Sequence, residues 1–167
     1  MTPKQAAIAL NKFRLELPYL VGTEIVNFIL DNWDKQGFQG TSFEKWEPRK
    51  DPSRQGRAIL VGKQSGRLRR SQKFKTIPGG KVEAGSDLDY AGIHNKGGQL
   101  KVKVTAKSRR FFWAMWYQTK NDMWKAMALT KKRYMTITIP KRQFIGPSPV
   151  LDKMIETMID KRLKRIL

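Results

Sequence analysis

The sequence predicts an α+β fold in which a small antiparallel β-sheet is flanked by N- and C-terminal helices and carries an inserted apolar helical hairpin. Three observations predict this class. Apolar residues recur every three or four positions near both ends of the chain, which indicates amphipathic helices. Residues 134–139 alternate between polar and apolar side chains, as half-buried strands do. Residues 111–129 carry bulky apolar side chains on nearly every helical turn.

The length of 167 residues favours one domain over residues 1–167, with residues 106–133 as an insert within it. The absence of cysteine excludes disulfides, zinc ribbons and thiol catalysis. No apolar run approaches the ~18 residues that span a bilayer, so we expect a soluble protein, made in a cytoplasm, without membrane contact. The net charge of +20 indicates an acidic neighbour, which composition alone does not identify.

The N-terminal segment, from Thr2 to about Trp33, is predicted to be helical. Thr2 can cap the helix, and Pro3 suits its first turn. Pro18 should kink or split the helix because it removes a backbone hydrogen bond. Beyond Pro18, apolar residues four positions apart form one stripe that should pack against a sheet: Val21, Ile25, Ile29 and Trp33.

Residues 34–51 are predicted to form an ordered loop, because glycines and prolines interrupt the apolar pattern. The loop contains Phe38, Phe43 and Trp46. These rings either pin the loop onto the domain, which we favour because aromatic side chains bury large apolar areas, or face a partner.

Residues 49–81 concentrate the positive charge, with 11 Lys or Arg and one acid, Asp51. We predict a β-hairpin of residues 68–77 and 81–85, closed by a Pro-Gly-Gly turn. Its basic surface either docks on acidic protein neighbours or lies near DNA, which we favour, or is a dedicated nucleic-acid-binding module. Phe74 is the only ring between Arg49 and Lys81, which argues against base stacking. The predicted basic surface comprises Arg54, Arg57, Arg67, Arg69, Arg70, Lys73 and Lys75.

Residues 82–98 indicate a strand end, a polar turn and one helical turn that exits through Gly97 and Gly98. Ser86, Asp87 and Asp89 are turn and N-cap residue types. Paired glycines allow positive φ or close backbone approach. The only histidine, His94, lies just before these glycines. A metal-binding or catalytic role for it is less expected than a hydrogen bond to the next loop.

The chain lacks the residue patterns of common enzymes. There is no Gly-x-Ser-x-Gly elbow and no phosphate-cradling Gly-x-x-x-x-Gly-Lys loop, and the acids are scattered. We therefore expect no catalytic residues, no metal and no cofactor.

The predicted insert places two short helices between strands at residues 101–105 and 134–139. Its aromatic residues either complete the core or form an interface, and the Lys and Arg residues that bracket the segment slightly favour an interface. The predicted contact residues are Phe111, Phe112, Trp113, Trp116, Tyr117, Trp124 and Met127.

The last strand should end at Pro140, and a final helix should start at Ser148-Pro149, where the serine can cap it and Asp152 complements its positive end. The predicted buried stripe of this helix is Leu151, Met154, Ile155 and Met158.

Four pieces in order resemble the phage virion morphogenesis family, which includes the tail completion proteins of Mu-like and P2-like phages. They are a Trp-Glu-Pro at residue 46, Ser-Gly-Arg-Leu-Arg-Arg-Ser at 65–71, the Tyr-Ala-Gly-Ile-His-Asn motif at 90–95, and Ile-Pro-Lys-Arg-Gln-Phe-Ile-Gly-Pro-Ser at 139–148. The resemblance spans residues 40–167. The residues that carry it are Trp46, Gly66, Leu68, Tyr90, Ala91, His94, Gly97, Arg142, Phe144 and Gly146.

The resemblance implies a virion structural or assembly protein at the head–tail junction, acting as a tail completion or neck subunit. Its partners would be copies of itself in a ring, a hexamer by analogy with tails, and phage connector and tail proteins, with packaged DNA nearby. Synthesis would occur in the cytoplasm of the bacterial host. The alternative is a sequence-nonspecific DNA-binding protein.

Overall fold

The computed structural model describes residues 2–49, 58–61 and 66–166. The helices and strands in these ranges are α1 (Pro3–Lys35), β1 (Gly37–Gln39), β2 (Phe43–Lys45), α2 (Arg67–Arg70), β3 (Lys73–Ile77), β4 (Lys81–Gly85), α3 (Ala91–Lys96), β5 (Gly98–Lys103), α4 (Ala106–Thr119), α5 (Asp122–Leu129), β6 (Tyr134–Ile139) and α6 (Pro149–Ile166). The predicted α+β class, with long helices at the two ends and a helical pair between β5 and β6, is confirmed.

The strands pair as three separate antiparallel ribbons, β1–β2, β3–β4 and β5–β6. The prediction had placed them in one sheet. Periodicity identifies strands but not their partners, and each of these strands pairs with the next one along the chain. No helix in the described parts of the chain has both the length and the apolarity to cross a membrane.

Helix α1 runs without interruption through Pro18, so of the two predicted effects of this proline, a kink or a split, the split does not occur. Its N-terminus carries the predicted Thr2 cap, whose hydroxyl accepts from the Gln5 main chain. Buried residues lie on both sides of Pro18, with Phe13 before it and Phe28 after it. We attribute the continuity to this packing, which offsets the roughly 3 kcal/mol cost of an interior proline.

The core forms where the C-terminal half of α1 meets the following elements. Ile29 and Trp33 are buried there, as predicted, and Ile25 packs against them. The predicted packing of α1 on strands is also present, on β3 and β4. Gly22 allows α1 to lie close to β3, because a Cβ at this position would overlap the Phe74 ring.

The segment after α1 contains a short hairpin, β1–β2, where only a loop was predicted. Strands of three residues bounded by glycines leave too little alternation to detect. Phe38 and Trp46 are buried and pin this segment to the core, as predicted. Phe43 does not, because it is 51% exposed.

The predicted hairpin at residues 68–85 is confirmed from Lys73 onward, with Ile77 paired to Lys81 across the turn. Residues before it differ from the prediction, because Arg67–Arg70 form the helical turn α2. The side-chain amide of Gln72 donates to the Leu68 carbonyl and closes this turn.

The predicted helical turn at the centre of the chain is α3. Ser86 accepts from the Leu88 main chain and shapes the turn before it, but the N-cap of α3 is Tyr90, not a predicted polar residue. Gly97 ends the helix at φ 71°, and Gly98 follows at φ 143°, as the paired glycines predict.

Helix α6 begins as predicted: the Ser148 hydroxyl accepts from the Leu151 main chain. The predicted apolar stripe is only half-buried, since no residue of α6 is fully buried. Its packing partner is α1.

Candidate functional site

The residues that carry the family resemblance converge on the core of the domain. Four of them are buried and lie in one apolar cluster: Trp46, Leu68, Ala91 and Phe144. The Trp33 ring of α1 lies at the centre of this cluster, 5.7 Å from the Trp46 ring and 4.5 Å from the Phe144 ring. These four residues therefore form a framework that holds distant segments together.

Trp46 and Arg142 make reciprocal contacts between two loops. The Trp46 indole donates to the Gln143 carbonyl over 2.7 Å. The Arg142 guanidinium donates to the Glu47 carbonyl over 3.0 and 3.1 Å, and to the Pro48 carbonyl over 3.4 Å. Burial lowers the pKa of Arg142, while Glu47 raises it and Arg49 lowers it. Because each segment supplies a donor to the other, we call this arrangement the clasp.

Two asparagines that are not among the predicted site residues complete the clasp region. The Asn95 side chain accepts from the Phe144 and Ile145 main chains and donates to the Ile145 carbonyl. Asn32, fully buried, donates to the Phe144 carbonyl and accepts from the Gln39 main chain. The Tyr-Ala-Gly-Ile-His-Asn motif was the available signal for Asn95.

His94 serves the same region through its backbone. Its carbonyl accepts from the Arg142 main chain over 3.0 Å. The buried Nδ1 of its side chain has no hydrogen-bond partner among the described residues, so the predicted hydrogen bond to the next loop is not made through that nitrogen. Burial lowers the pKa of the imidazole, and the positive charge of Arg142 lowers it further. The ring meets Tyr90 edge-on at 6.0 Å.

Each glycine among the residues that carry the resemblance has a backbone conformation or a close contact that disfavours a side chain. Gly97 approaches the Lys141 main chain, and a Cβ would lie 2.7 Å from the Lys141 nitrogen. Gly66 has φ 52° at the start of α2, and Gly146 packs against the Gln143 side chain.

The second feature is an arm formed by β5, α4, α5 and β6, residues 98–139. The β5–β6 ribbon has one polar face and one apolar face, because Lys101 pairs with Thr136 while Leu100 pairs with Ile137. Leu100 and Ile137 are 41% and 37% exposed. The domain core therefore leaves the apolar face of the ribbon uncovered.

Helices α4 and α5 form the tip of the arm and pack mainly on one another. The rings of Phe112 and Trp124 stack at 6.0 Å, and the Arg109 guanidinium donates to the Ala128 carbonyl over 2.8 Å. Among the described residues, no arm side chain joins the core cluster. The insert thus does not complete that cluster.

The predicted contact residues lie together on the tip. Trp113, Trp116 and Tyr117 form a ring cluster, with Lys120 over the rings of Trp116 and Tyr117. Phe111, Tyr117, Met123 and Leu129 are more than half exposed. Phe112, Trp113, Trp116, Trp124 and Met127 are partly buried. The arm carries ten Lys or Arg and one acid, Asp122, for a net charge of +9.

The predicted basic surface is divided. Three of its members pair with acids of neighbouring segments: Arg69 with Asp34, Lys73 with Asp87, and Lys75 with Glu83, at 2.6, 2.6 and 2.8 Å. Arg67 and Arg70 lie on α2, and Arg54 and Arg57 lie outside the described residues. The three acids lie outside residues 49–81, so the composition of that stretch gives no sign of these pairs.

Within residues 2–49, 58–61 and 66–166, no group of three or more His, Asp or Glu side chains is placed to hold a metal ion.

Comparison with known proteins identifies the family. The model of the phage virion morphogenesis family matches residues 34–164, which include the clasp and the arm. No curated protein and no solved structure matches the chain. The match covers more than half of the sequence and all ten residues that carry the resemblance. The chain therefore belongs to the phage virion morphogenesis family.

Proposed function

We propose that this protein is a non-enzymatic subunit of the head–tail junction, acting in tail completion or as part of a neck ring. Family membership supports a role in virion assembly. The single observation that carries the finer proposal is the arm, whose apolar face and tip remain exposed. An uncovered apolar surface with a charged rim is typical of an interface.

The arm suits contacts between unlike surfaces of neighbouring subunits. An arm that reaches onto a neighbour makes a heterologous contact, and such contacts close into a ring when the rotation permits. We propose a homo-oligomeric ring on this basis, with the tip residues around Trp113 and Trp116 at the contact. A hexamer follows only by analogy with tails.

The alternative, sequence-nonspecific DNA binding, rests on the net charge of +20. The ion pairs of Arg69, Lys73 and Lys75 reduce the charge that the predicted basic surface presents. A DNA-binding protein would bind duplex with an affinity that falls steeply with salt. We favour the structural role, with packaged DNA as a neighbour.

The test is a phage whose gene for this chain carries Met123→Gln with Leu129→Gln. Both side chains are more than half exposed, at 52% and 58%, so the substitutions should leave the fold intact. Leu15→Gln on α1, 75% exposed, is the matched control. We expect tail joining to fail only in the arm variant, and cryo-electron microscopy of the parent virion to locate the chain between portal and tail.

Normal tail joining by the arm variant would contradict the role of the arm. Absence of the chain from the neck and tail of the finished particle would contradict the proposed location.

A further inference from the structure

A groove runs along α6, beside α1. It encloses about 750 Å³ between α6, Glu24 of α1 and the turn at Gly40. Its apolar lining comes from Val150, Met154 and Met158. Val150 is 40% exposed and the two methionines are half-buried, so the apolar side chains are accessible.

The apolar surface continues beyond the N-terminus of α6. A second hollow of about 460 Å³ shares Gly40 and Val150 with the groove and reaches Phe43. The Phe43 ring packs over Gly37 and is 51% exposed. One apolar strip therefore extends from Phe43 along α6, where the groove is lined over residues 149–165, about 24 Å of helix.

The charge around this strip has one predominant sign. Basic side chains of α6 line the groove, namely Lys153, Lys161, Arg162 and Arg165, against one acid, Glu24. A ligand with apolar side chains on one face and carboxylates beside them would match both the lining and its rim.

We propose that this groove binds an acidic amphipathic helix of another virion protein. An amphipathic helix places its apolar face in such a groove through side chains at i, i+3, i+4 and i+7. Methionine side chains adapt their shape to a partner, which suits Met154 and Met158 to this contact. The arm of a second copy does not fit, because its net charge of +9 would face the basic rim. The proposal depends on family membership but not on a location at the head–tail junction.

The seven methionines allow a test with the full chain. Methyl-¹³C labelling places reporters in the groove at Met154 and Met158, while the arm carries a separate set: Met115, Met123, Met127 and Met135. The probe is a capped peptide of about 18 residues, a helix as long as the groove, with Leu at the helix-face spacing and Glu elsewhere. One control peptide has the same composition in scrambled order, and a second has Lys in place of Glu.

We expect the acidic amphipathic peptide to shift the Met154 and Met158 methyl signals in a saturable way and to leave the arm signals in place. Lys161→Glu, in the groove lining, should weaken binding about three- to tenfold. Lys164→Glu is the matched control, because this exposed residue of α6 carries the same charge but does not line the groove.

Three results would each overturn the proposal: no shift of the groove methyls, equal binding of the scrambled peptide, or equal loss of affinity in both charge variants. The last two would indicate general attraction to a basic protein, which includes nonspecific DNA binding. None of these results bears on the position of the chain in the virion, so the two proposals fail separately.

Discussion

Gly97 combines two constraints whose energies can be separated by substitution. Its backbone has φ 71° and ψ −179°, a conformation that is essentially restricted to glycine. A Cβ there would also lie 2.7 Å from the nitrogen and 2.9 Å from the Cα of Lys141, which are main-chain atoms that cannot rotate away. We expect Gly97→Ala to cost about 1–3 kcal/mol for the backbone conformation and about 1–3 kcal/mol for the forced displacement.

Two other glycines provide matched controls. Gly79 has φ 84° but nothing within 4 Å of its added Cβ, so Gly79→Ala should cost about 1–2 kcal/mol, for conformation alone. Gly92 lies within α3 with no positive φ and open space, so Gly92→Ala should stabilise by about 0.5–1 kcal/mol. Urea unfolding at constant m-value measures all three. Equal losses for Gly97→Ala and Gly79→Ala would refute the close approach to Lys141.

Two further predictions concern the clasp. Trp46→Phe leaves the Gln143 carbonyl without its buried donor, so the free energy of unfolding should fall by about 1–3 kcal/mol. Trp124→Phe in the arm is the control. Equal effects of the two substitutions would contradict a stabilising role for the hydrogen bond from Trp46 to Gln143. Burial and Arg142 lower the pKa of His94 below its ordinary value of 6.5, so the unfolded chain binds more protons just below that pH. Stability should therefore fall as pH drops from about 7.5 through 6.5 toward the lowered pKa. In thermal melts, His94→Gln should reduce this dependence of stability on pH. An unchanged dependence would show that other groups cause it.

Elements with local signals could be predicted from the sequence. The Thr2 and Ser148 caps and the alternation that forms β6 involve residues within a few positions of one another, so propensity and spacing identify them. Pro18 shows the limit of this reasoning, because packing of α1 on both sides of the proline overrides a local preference.

The contacts that assemble the site could not be predicted from periodicity. Asn32 meets the Phe144 carbonyl across 112 positions, and Trp46 meets Gln143 across 97. A polar residue on a helix gives no sign that it will be buried by a distant loop. The family resemblance identified several of these positions, but it did not identify Asn32 or the ion pairs that Arg69 and Lys73 make.

The clasp also determines when the domain can fold during synthesis. Helix α1 emerges from the ribosome before the segments that cover it, and the Phe144 ring that covers Trp33 is made more than a hundred residues after Trp33. Until then, Ile29 and Trp33 lack part of the core that buries them. Long-range closure of this kind slows folding and prolongs the exposure of apolar surface. The nascent chain should therefore depend on chaperones until the segment around Arg142 has been released.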